Sequence, residues 1–217
     1  CIALPATAVV DTLPTSASAI LAFGNNLLNL QEINAAIADA RLRGRLTLAL
    51  RDPMQIDGQL QVSSLDLPSV VATALGLPAR PASASQNVSW SSGPFEPLFG
   101  TLRGHLDLEA EQITLTAKLP ARRFRGMVDF GESRIALQVT ESTVAGGTLQ
   151  GELIFLREGE GMIGRMGGKL SGADAAELLP GNRTISGRLT SEISVEGSGM
   201  SAVALIGSLQ GKGTFTL

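Results

Sequence analysis

The chain has 217 residues, 44% hydrophobic and 17% charged, with a net charge of −3. Aromatic residues make up 4% and Tyr is absent, so neither the basic footprint nor the stacking platforms of a nucleic-acid binder are present. One His and a single Cys, at position 1, exclude an internal disulfide and most zinc sites.

Residues 1–14 show little periodicity, and Ser16 to Leu30 is an Asn-interrupted apolar stretch that fits strand or helix. From Ile33 the pattern is period two. Leu46, Leu48 and Leu50 oppose Arg45, Thr47 and Arg51, which predicts a strand with one apolar and one wet face. DPMQIDG supplies turn residues, and Ile56 to Ser63 returns as the next strand. The period then changes. LDLPSVVATALGLP predicts a short helix, with Pro68 at its first position and Gly76 at its cap. Pro78 to Asn87 is rich in Pro, Ala and Ser and reads as a linker.

Strands resume at Thr101 to Glu109. After an expected turn near Gln112 follow Ile113 to Leu119 and Arg122 to Phe130. Ile135, Leu137 and Val139 continue the alternation, then Val144 to Leu156, with Gly146-Gly147 as a bulge or turn. REGEGMIG closes a hairpin into Met166 to Ser171. ADAAELLPG predicts a second short helix, Ile185 to Val195 a strand facing Leu189, Ile193 and Val195 inward, MSAVALIGSL a third helix, and Gly211 to Leu217 a last strand. LRGRLTLAL…IDGQLQVSSLDLPSVV can be laid on LQGELIFL…MGGKLSGADAAELL, a loose strand, strand, helix repeat.

The tempting chemical motifs each have a plainer reading. Gly197 to Ala202, GSGMSA, fits G-x-G-x-x-A between a strand and a helix, but no acidic residue follows Glu196, so it reads as a strand-to-helix turn. Gly159 to Gly164, GEGMIG, lies between strands and reads as a hairpin. His105 has no partner set for nucleophilic or metal chemistry and reads as a surface strand residue. Asp107, Glu109 and Glu111 share one strand face; at ~6.5–7 Å spacing they are too far apart to ligate one Ca²⁺ easily. Arg122, Arg123 and Arg125 form the densest basic cluster, able to meet lipid phosphate or simply to solubilise. The NVS and NRT triplets fit the glycosylation sequon, a short pattern that carries no argument by itself. The expectation is a protein without a catalytic centre, cofactor or metal.

Taken together, W-S-x-x-P-F from Trp90, LRGHLDLEAEQITL, ESTVAGGTLQGELIF, GKLSGADAAELL and SGRLTSEISVEGSGMSAVALIGSLQGKGTFTL resemble the C-terminal region of the AsmA-like family of Gram-negative envelope proteins. The resemblance covers Trp90 to Leu217, and more faintly Ile33 to Pro78. It implies a curved antiparallel sheet with an apolar groove. It also implies a periplasmic location, an inner-membrane anchor outside this fragment, and phospholipid transport to the outer membrane. No run here reaches the ~18–20 apolar residues of a membrane span, so any anchor would lie in a longer parent.

These readings combine into one expectation. The fold is mainly β, a curved antiparallel sheet or groove with a few short capping helices. It is divided as a β-rich module over 1–77, a linker over 78–89 and an AsmA-like module over 90–217. The lipid lining is expected from Leu106, Leu108, Ile113, Leu115, Val128, Phe130, Ile135, Leu137, Leu153 and Phe155 on a concave face, with Asp107, Glu109, Thr114, Lys118, Asp129 and Gln138 on the convex one. The expected partners are phospholipid acyl chains and not nucleic acid. The rival expectation is an assembly module that binds outer-membrane protein segments by β-augmentation.

Overall fold

The structure is a computed structural model that describes residues 15–37, 40–67, 100–116, 119–178 and 186–217. The described strands are β1 (Thr15–Gly24), β2 (Leu27–Ile37), β3 (Ala40–Ala49), β4 (Met54–Asp66), β5 (Leu102–Thr116), β6 (Leu119–Phe130), β7 (Arg134–Val144), β8 (Gly147–Glu158), β9 (Gly161–Asp174), β10 (Arg188–Gly199) and β11 (Gln210–Thr216). They make one curved, unclosed sheet in strict chain order, with β1 and β11 as its edges. Among the described residues two short helices accompany it: α1 (Ala175–Leu178) after β9 and α2 (Ala202–Gly207) between β10 and β11. The mainly β content is as the alternation predicts, and the curved, open sheet is as the resemblance implies. The helix expected over Pro68 to Gly76 and the linker at 78–89 lie outside the described residues.

Tight turns keep sequential strands antiparallel. Asn25 and Asn26 have φ of 52° and 59°, the mirror-image turn whose twist suits a two-residue hairpin. That settles the stretch from Ser16 to Leu30, which forms β1 and the start of β2. Ala145 and Gly146, at φ 46° and 70°, do the same between β7 and β8. One junction departs from the expected all-antiparallel pattern. β4 and β5 pair in parallel, from Met54 opposite Leu102 to Asp66 opposite Thr114. A parallel pair cannot be joined by a tight hairpin, and its two strands are 35 residues apart along the chain, from Leu67 to Thr101. The sheet therefore runs unbroken from the first expected module into the second.

The turn expected near Gln112 does not form. β5 is one strand through Thr116, and Gln112 stays paired with Ser64 on one side and Arg122 on the other. The expected strand from Ile113 to Leu119 is thus split, since Leu119 opens β6 opposite Thr116. What the sequence shows as a break is a change of phase. Ala110 and Ile113 are both buried, although three residues apart, and Glu111 and Gln112 between them are exposed. The neighbouring strand makes the same step. Ala121 and Phe124 are buried around exposed Arg122 and Arg123, and Arg123 has φ of 51°, a left-handed residue that reverses the alternation. β7 absorbs the change as register shifts on both sides of Thr140–Glu141. Because the strands step together, pairing survives and the sheet creases.

The apolar face carries two clusters of buried side chains. One is Leu108, Ala110, Ile113, Ala121, Phe124 and Val144; partly buried Leu60, Leu137, Leu149, Leu170 and Leu178 of α1 pack against it. The other is Ile135, Phe155, Met162 and Leu205 of α2. Burial of such a set at ~25 cal/mol per Å² is the main term holding the sheet. The helices sit at opposite ends of the strands, α1 beyond the last residues of β9 and α2 beyond those of β10.

Candidate functional site

All ten expected lining residues fall on this one face. Leu108, Ile113, Ile135 and Phe155 are buried, and Leu106, Leu115, Val128, Phe130, Leu137 and Leu153 are half-buried. Their register explains the shared side. Leu106, Val128, Leu137, Leu153 and Met166 lie directly opposite one another across β5 to β9. Phe130, Ile135, Phe155 and Gly164 form the next such row. Directly opposite residues on adjacent strands share a face.

Glycines explain how large side chains become buried on a sheet face. A Cβ on Gly126 would stand 2.8 Å from Cζ of Phe124, so that ring lies over the glycine. A Cβ on Gly58 would meet Leu46 at 2.6 Å, and one on Gly44 would meet Leu60 at 2.9 Å. The side chains lie sideways into gaps left by their neighbours' missing Cβ atoms.

Toward β11 the filling stops. The row Val139, Gly151, Gly168, Ile193, Gly213 sets two large residues among three glycines. A Cβ on Gly168 would touch nothing closer than 3.8 Å. Beside this low floor Met166 is 40% exposed and Ile193 37%. Ile193, expected to face inward, is on the apolar side but uncovered. Met166 was absent from the expected lining. Its signal was the even-numbered series Met162, Gly164, Met166, Gly168, Leu170, which shares a face in any strand.

The opposite face is a polar ladder. Asp107, Glu109, Thr114, Asp129 and Gln138 lie on it as expected, and Lys118 lies outside the described residues. Arg45 donates to Gln59 at 2.9 Å and Gln59 to Asp107 at 3.3 Å. Gln61 donates to Glu109 at 3.1 Å, and Arg125 lies 3.6 Å from the same carboxylate. His105 Nδ1 is 3.0 Å from Asp57 Oδ1, and both are more than half exposed. Three of these bridges cross the parallel β4–β5 pair, the junction that has no hairpin to fix its register. Asp107 and Glu109 are thus engaged in register-holding contacts, and Arg123 donates to Thr143 at 3.2 Å. This face is not uniformly convex: at the crease it holds an open recess of about 780 Å³, lined by Arg41, Arg43, Glu109, Arg123, Arg125 and Glu141 among others.

Gly197 and Gly199, the glycines of GSGMSA, have an occupant. A Cβ on Gly199 would lie 2.4 Å from Leu205 N, and one on Gly197 2.8 Å from Leu205 O. They let the backbone of α2 rest directly on β10. Ser201 caps that helix, its side chain accepting from the Ala204 N–H. GEGMIG forms the hairpin between β8 and β9, with Gly159 at φ 59°. Among the described residues no His, Cys, Asp or Glu group is arranged to hold a metal, and no helix is long and apolar enough to cross a membrane.

No protein-family model, curated protein or solved structure matches this chain.

Proposed function

We propose that the apolar face is a passive binding surface for phospholipid acyl chains. In this reading the protein is the periplasmic part of an AsmA-like envelope protein whose inner-membrane anchor lies outside this chain, and it conducts lipid toward the outer membrane. The observation that carries the reading is the stretch over β9 to β11, where Ile193 stands exposed between Gly168 and Gly213, and Met166 stands exposed in the row beside them, on a face otherwise packed with aliphatic side chains. Acyl burial is worth ~0.8 kcal/mol per CH₂ and needs no polar recognition. A glycine floor gives a methylene chain close contact with backbone and with the flanking Met and Ile. The head group would stay in water at the open side. The motif resemblance to the AsmA-like family supports the same reading.

Mass spectrometry of the purified protein tests it. Phospholipid should copurify in a defined ratio, and Met166→Asp with Ile193→Asp should abolish it while the far-UV spectrum is kept. A lipid-free preparation, or unchanged lipid in the variant, would defeat the reading.

The second reading, an assembly module that takes an outer-membrane protein segment as an added strand, is favoured by β1. TSASAILAFG has no charge and no proline, the usual means of guarding a sheet edge.

A further inference from the structure

Phe215 and Leu217 apart, the large apolar side chains that stay exposed near strand ends gather, among the described residues, at one end of the strands. This is the end where β1, β3, β6, β8 and β10 finish and where α2 lies. At one corner are Leu21 and Phe23 of β1, 65% and 70% exposed, with Leu50 and Met54 at the neighbouring β3–β4 turn. At the other corner is α2. Its inner side chains, Ala202 and Leu205, are buried against the sheet. Its outer side is also apolar: Met200, Val203 and Ile206 recur every three residues, and all are exposed. No charged residue lies between Glu196 and Lys212. An ordinary surface helix turns a polar side to water, and one apolar all round is covered by something.

We propose that this end of the sheet docks on a lipid surface through its two apolar corners, with the strands directed away from it. Three features point to a fluid apolar surface rather than a folded protein. The corners are nine strands apart in the sheet order, two separate patches rather than one compact hot spot. Each corner is a set of turn tips and one short helix that can enter an interface without shape complementarity. The charges along the end balance: Arg51, Arg103, Arg134 and Arg157 stand with Asp52, Glu132, Glu158 and Glu160, and Arg103 is already paired with Glu132 at 2.9 Å. Attraction to anionic lipid is therefore not the driving term, and binding rests on apolar insertion. The inference uses none of the groove residues and stands whether or not the groove holds lipid.

Vesicle flotation tests it. The protein should float with vesicles of phosphatidylcholine alone, equally at low and high salt, and 20% phosphatidylglycerol should add little. Val203→Ser with Ile206→Ser, and separately Leu21→Ser with Phe23→Ser, should each lower the partition coefficient on the order of tenfold, with the folded spectrum kept. Glu152→Gln, on the polar face away from both corners, should float like the wild type, and the corner variants should keep their copurifying phospholipid, which separates failure of docking from failure of the groove. The proposal is overturned by any of three results: no flotation, binding that needs phosphatidylglycerol and is lost in salt, or corner variants that float unchanged. If the same corner variants abolish a dimer in sedimentation while the protein ignores vesicles, the corners are a protein interface and the proposal is wrong.

Discussion

The central strands β5 to β8 and the edge hairpin of β1 and β2 both carry large apolar side chains and reach opposite outcomes. In the centre Phe124 is 2% exposed, because its ring lies over Gly126 and among Ile113, Val144 and their neighbours. At the edge Phe23 is 70% exposed, in a strand just as apolar. Period two decides which face a residue is on. Burial is decided by what lies across the next strand, and among the described residues β1 has a strand on one side only.

The largest expected effect breaks this comparison directly. Phe124→Ala should cost ~3–5 kcal/mol, whereas Phe23→Ala and Phe215→Ala should stay within about 0.5 kcal/mol. Urea denaturation reads all three. Equal costs would mean that the edge is covered in solution or that the centre is loose.

Next come the glycines. Gly199→Ala should destabilise by ~1–3 kcal/mol, since the new Cβ meets the α2 backbone at 2.4 Å and cannot be relieved by a rotamer. Gly207→Ala, with nothing within 4 Å, should be neutral or stabilise by about 0.4–1 kcal/mol. Thermal melts of the two variants should move in different directions. If Gly199→Ala is silent, α2 does not sit on β10 as described.

The smallest effect concerns the polar ladder. Gln59→Ala removes the contacts to both Arg45 and Asp107, yet these are exposed and should be worth less than about 1 kcal/mol together. Their role in this account is register across the parallel pair. Amide exchange at Gly58 to Leu60 should accelerate in the variant, while exchange in β7 and β8 should not change.

Legibility followed the same division. The strand faces were readable wherever Leu, Ile or Val alternated with charge, because the pleat leaves no other arrangement. All ten expected lining residues accordingly share a side. The crease was misread as a turn. Two successive polar residues, Glu111 and Gln112, look like a loop in one strand, and only the matching step at Arg122–Arg123 shows that both strands continue. The parallel pairing of β4 with β5 left no local mark, since register across 35 intervening residues is set by partners far apart in the chain. Met166 and the glycine floor were missed for a related reason. A glycine reads as a break in one strand, and its use as space for a neighbour's side chain appears only when the rows are aligned.

The central claim is that acyl chains occupy the apolar face and not its reverse. Photo-crosslinking groups at Leu137, Leu153 and Met166, which lie opposite one another in one row, should be compared with groups at Gln138, Glu152 and Gly167, the adjoining row on the polar face. The account predicts phospholipid adducts at the first three positions, strongest at Met166, and none at the other three. Equal labelling of both rows, or no adduct at Met166, would contradict it.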